Sequence, residues 1–103
     1  MDGGGVAISG SRAITTWRRA EDIYLAAPNA AEERIGAGRN PAVSAAGPHV
    51  DTAWTDAAGL TLRRGERTTL LGPGRFPSVL AFDDATLLAW EDGGRVLAQR
   101  IER

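Results

Sequence analysis

The sequence predicts an all-β chain of three four-stranded antiparallel propeller blades, with the last blade lacking its outer strand. Three observations lead there. A stretch at 38–64 recurs in register at 74–100, glycine and proline punctuate the chain at short intervals, and the segments between them are short and strand-like. Helices would need apolar residues at three and four spacing over ten or more positions, which this punctuation forbids.

The repeat holds register over a long distance. Gly36, Gly38, Arg39, Pro41, Val43, Ala53, Trp54 and Asp56 recur as Gly72, Gly74, Arg75, Pro77, Val79, Ala89, Trp90 and Asp92, each 36 residues on. A fainter copy lies upstream at an offset of 37, where Val6, Gly10, Trp17, Ile23 and Leu25 fall against Val43, Gly47, Trp54, Leu60 and Leu62. The chain therefore divides into units of about 5–36, 37–72 and 73–103 within one repeat domain.

The middle unit justifies its strands in order. "PAVSAA" is a short run closed by Gly47-Pro48, and "HVDTAWT" carries Val50, Thr52 and Trp54 on one face. Asp56 to Gly59 makes a turn before "LTLRR", because an aspartate opening a tight turn bonds the backbone two residues on. "RTTLLG" supplies the fourth strand. In the last unit "ATLLAW" is a continuous apolar run, expected of a middle strand covered on both faces. Glu102-Arg103 aligns with Glu66-Arg67, so the fourth strand of that unit is missing. Asp83-Asp84 reads as a hairpin loop and "TWRRAED" (16–22) as a solvated loop. Trp17, Trp54 and Trp90 occupy one position on the second strand, where a large side chain fills the gap between adjacent blades.

Composition narrows the chemistry. A formal charge of -1 leaves no global field to hold a polyanion, so nucleic acid is not an expected partner. No cysteine is present, which removes disulfides, thiolate metal sites and cysteine nucleophiles, and the lone His49 excludes a site needing two imidazoles. No metal and no cofactor is expected. No apolar run approaches the roughly eighteen residues of a membrane helix, and "MDGGGVAISG" lacks the order of a signal peptide, so the chain reads as soluble with its compartment unassigned. Every cationic residue is arginine, and with abundant alanine and glycine this suggests a GC-rich bacterial genome.

The later units resemble the sialidase (neuraminidase)-like β-propellers and their bacterial relatives, whose blades often read P-x-V, A-W-x-D and G-L-x-L-R in succession. That resemblance implies a role for Arg39 and Arg75. Each lies in Gly-Arg-x-Pro before an innermost strand, where sialidases carry an aromatic-Arg-Ile/Leu-Pro motif whose arginine grips the substrate carboxylate. Here Gly38 and Gly74 stand in place of the aromatic, and the first unit has Gly3-Gly4-Gly5. Tyr24, the only tyrosine, matches Thr61 and so falls away from the axis, and Arg63-Arg64-Gly65-Glu66 stands where an Asp-box would lie. No complete catalytic set is present. The expected function is a non-catalytic sialidase-like propeller module acting in binding or scaffolding. A carbohydrate-binding propeller lectin is the alternative, and a partial sialidase-type glycoside hydrolase the third.

Closed propellers use about four to eight blades, so three units leave a ring incomplete. The expectation is self-association into a homodimer of six blades, or completion by the remainder of a longer propeller. In the dimer Arg39 and Arg75 of each chain would ring the channel and hold a glycan or a small anion, with no membrane partner.

Overall fold

A computed structural model describes residues 4–103. They form eleven β-strands in three antiparallel sheets, with no helix among them. The first sheet comprises β1 (Gly4–Ser9), β2 (Arg12–Arg19), β3 (Asp22–Ala26) and β4 (Glu33–Ala37), hydrogen-bonded in that order. The second comprises β5 (Arg39–Ala46), β6 (His49–Asp56), β7 (Gly59–Arg64) and β8 (Arg67–Gly72), again in chain order. The third has three strands, β9 (Arg75–Ala81), β10 (Ala85–Asp92) and β11 (Arg95–Glu102), with β10 in the middle. Gly3 of the glycine run lies outside the described residues.

Local chemistry sets the strand ends. The Asp56 carboxylate accepts the amides of Ala58 and Gly59 at 2.7 and 3.2 Å and the Thr61 hydroxyl at 3.2 Å, which closes the β6–β7 hairpin. Glycines at positive φ turn two further hairpins, Gly47 between β5 and β6 and Gly65 between β7 and β8. Asp83-Asp84 lies in the β9–β10 connection, as the hairpin expectation required.

Two sequence expectations change. "TWRRAED" is not a loop: Thr16 to Arg19 complete β2, Asp22 opens β3, and Arg19 pairs with Asp22 across a two-residue turn. The turn carries its positive φ on Ala20, where glycine or asparagine would have announced it. The "ATLLAW" run is covered on one face instead of two. Thr86 and Leu88 are buried against the second sheet, while Leu87 points the other way and is 38 % exposed.

The sheets lie against one another in chain order. β1 and β2 pack on β5, and β5 and β6 pack on β9. Strand alternation then gives each sheet one face toward its predecessor and one toward its successor. In β6, Trp54 faces back to the first sheet, where it meets Gly36 of β4, while Asp51 and Ala53 face forward to the third. In β10, Thr86, Leu88 and Trp90 face back. The core between the second and third sheets is Ala53, Leu62 and Leu88, walled by Leu71, Val79, Trp90 and Ile101. Burying a leucine fully contributes roughly 1.5–3 kcal/mol, so each leucine of this cluster adds materially to the hold between the two sheets.

One charged group is buried in the same junction. Asp51 is 0 % exposed, accepts the Thr86 hydroxyl at 2.7 Å, and receives both terminal nitrogens of Arg103 at 2.9 and 2.6 Å. Arg103 also donates to the Phe82 carbonyl, and Arg64 donates to the Ile101 and Glu102 carbonyls. A bidentate guanidinium with a third donor fills most of the carboxylate's acceptor capacity, the condition under which a buried charge is tolerated.

Candidate functional site

Gly-Arg-x-Pro builds one device in both copies. Gly38 and Gly74 take φ of 148° and 150°, and the residue after each arginine, Asn40 or Phe76, takes 55° or 54°. The pairing of β5 with β6 slips between Arg39 and Ala42, and that of β9 with β10 slips between Ala89 and Glu91, so each motif carries a bulge. A Cβ at Gly38 would come within 2.7 Å of Trp54 Cδ1, and one at Gly74 within 2.5 Å of Trp90 Cδ1. The glycine thus seats the tryptophan of its own sheet, and the proline is buried. The arginine turns outward. Sequence spacing located this motif, but its glycine and proline serve packing.

Arg39 is 60 % exposed and meets Glu21 at 3.6 Å across the first junction; Glu21 also pairs with Arg18, and its carbonyl accepts the Gly38 amide. Such a solvated pair contributes little to stability and leaves the guanidinium open to exchange its carboxylate for another anion. Arg39 borders a groove of 980 Å³ between the first two sheets, with Glu21, Gly36, Trp54, Asp56 and Leu70 among its walls. Arg75 borders a smaller hollow of 280 Å³ with Pro73, Asp92 and the β6–β7 turn. That turn, including Asp56, walls both hollows, so the two arginines stand at the same end of the sheets in neighbouring recesses. They do not share one pocket.

The three tryptophans have different surroundings. Trp54 is 2 % exposed, and Trp90 is half-buried on the core cluster. Trp17 stacks on Tyr24 within the first sheet, ring centroids 5.8 Å apart, and Arg19 lies 4.6 Å above the Tyr24 ring. Arg19 in turn grips Glu32 with two hydrogen bonds of 2.7 and 2.9 Å, and this hydrogen bonding to the guanidinium holds the Glu32 carboxyl below its ordinary pKa. Tyr24 is thus flanked by a ring and a cation. No cluster of three His, Cys, Asp or Glu residues that could hold a metal ion occurs among the described residues.

Sequence reasoning did not single out Asp51, Thr86, Arg103 or Glu21. Their partners lie in other sheets, and no local pattern announces them. No family model, curated protein or solved structure matches the chain.

Proposed function

We propose that the chain is three blades of a sialidase-like β-propeller that acts as a non-catalytic binding or scaffolding module, its ring completed by a further copy or by more blades of a longer protein. One observation carries it: the same sheet-on-sheet contact is made twice, with the first strands β1, β5 and β9 side by side and a tryptophan of β6 or β10 facing back to the preceding sheet. Repeated face-to-face stacking of small antiparallel sheets is the plan of a propeller. The Gly-Arg-x-Pro arginines at one end supply the binding side, since a guanidinium fork suits a carboxylate or sulfate.

A carbohydrate-binding lectin is the second reading, favoured by the groove beside Arg39, which is walled by Trp54 and two carboxylates and is large enough for a sugar. Titration of the purified chain with acidic and neutral oligosaccharides tests the binding role. Acidic sugars or sulfated glycans are expected to bind, with at least a tenfold loss when Arg39→Ala and Arg75→Ala are combined. Hydrolysis of a fluorogenic sialoside by the chain would overturn the non-catalytic assignment, and acidic ligands held equally well by the double variant would overturn the role of the arginines.

A further inference from the structure

The first sheet has no predecessor and the third no successor among the described residues, so each shows one open face. Those faces hold four of the eight exposed large apolar side chains among the described residues: Val6 and Ile8 on β1, and Leu80 and Leu87, a cross-strand pair, on β9 and β10. Contiguous apolar patches of this kind mark interaction surfaces. The stacked pair Trp17–Tyr24 lies on the same open face of the first sheet, because Trp17 alternates with buried Ile14 and Thr16.

What fits these faces can be read from the internal junctions, because the sheets share one strand plan. Through the repeat, Asp51 corresponds to Leu87, and Thr86 corresponds by way of Val50 to Ala13. At the junction of second and third sheets Asp51 and Thr86 are buried and hydrogen-bonded. On the open faces both members of that pair have become apolar together, Leu87 on one face and Ala13 on the other. The third partner changes with them: Arg103, which neutralises Asp51, has alanine at the corresponding place in the first sheet's hairpin, at Ala30 or Ala31. A leucine set against an arginine would bury an unpaired charge; set against alanines it buries none. Ser44, which accepts the Ala81 amide at 2.9 Å, corresponds to Leu80, and Ala81 corresponds through Ala45 to Ile8, an exposed apolar pair again. Polarity is matched across two faces that do not touch within one chain.

We propose that the open face of the third sheet lies on the open face of the first sheet of a second copy, head to tail, with Leu87 against Ala13 and Leu80 against Ile8. The joint rests on the propeller reading and adds its partner and register. Two copies close the ring through two such joints, because six is the multiple of three within the range of about four to eight blades.

The absence of cysteine makes a cross-link test unambiguous. A chain carrying Ile8→Cys and Leu80→Cys, both at exposed positions, is expected to become a covalent dimer of about twice 10.9 kDa with oxidised glutathione, its disulfides mapping between position 8 of one copy and 80 of the other. A second chain carrying Ser44→Cys and Ala81→Cys reports the internal junction and should close within one molecule. If the internal pair closes and the first variant stays monomeric, or links 8 to 8 or 80 to 80, the head-to-tail joint is overturned while the stacked sheets stand. A monomer would assign the open faces to another part of a longer chain or to a different protein. If the internal pair also fails to close, the stacking itself falls, and the propeller reading with it.

Discussion

Arg103→Ala is expected to destabilise the chain by about 3–5 kcal/mol, read as a fall in the denaturant midpoint at one fixed protein concentration. The substitution strands Asp51, fully buried, with the Thr86 hydroxyl as its remaining side-chain partner. Stability of a domain this size lies near 5–15 kcal/mol, so the loss is a large share of the total. The companion variant Asp51→Leu, Thr86→Ala, Arg103→Ala installs the apolar set already present at Leu87, Ala13 and Ala30. Removing all charge from a buried cluster is close to neutral when the volume packs, so the triple variant should recover most of the loss. If Arg103→Ala alone is within about 0.5 kcal/mol of the parent, the typical size of a neutral surface substitution, Asp51 is not held as described.

Trp54→Ala carries the second large effect, about 3–5 kcal/mol of lost folding stability. The ring is buried and lies over Gly36 and beside Gly38, two residues with no side chain to move into the space it leaves. Gly36→Ala attacks the same contact from the other side: its Cβ would stand 2.5 Å from Trp54 Cζ2, forcing the ring out of its seat. Trp17→Ala is the contrast. Its ring stacks on Tyr24 on an open face, so the folded chain should lose much less than with Trp54→Ala. Thermal or chemical unfolding of the three variants checks the order, and equal losses at Trp17 and Trp54 would contradict it.

Strand positions were legible because the repeat supplied them twice. Asp56 opening its hairpin and the three-stranded last sheet follow from the register of 38–64 against 74–100. Which strand is covered on both faces was not. Apolar "ATLLAW" has an open face, whereas β6, with Asp51 and Thr52 at its centre, is buried on both. Polarity misled there because the carboxylate is neutralised by a residue 52 positions away, a distance at which sequence gives no sign. Arg39 and Arg75 stood out by recurrence, and recurrence marked the bulge: Phe76 repeats the positive φ of Asn40 without the short polar side chain that favours it. The hairpin inside "TWRRAED" escaped for the opposite reason, since Ala20 holds a conformation that glycine or asparagine would have signalled.

Mass in solution bears most directly on three stacked sheets with two matched open faces. Multi-angle light scattering of the purified chain across micromolar concentrations should give about twice 10.9 kDa, falling toward the monomer only on dilution or with Leu80→Asp and Leu87→Asp on the open face of the third sheet. A well-folded, monodisperse species of 10.9 kDa at every concentration would contradict it.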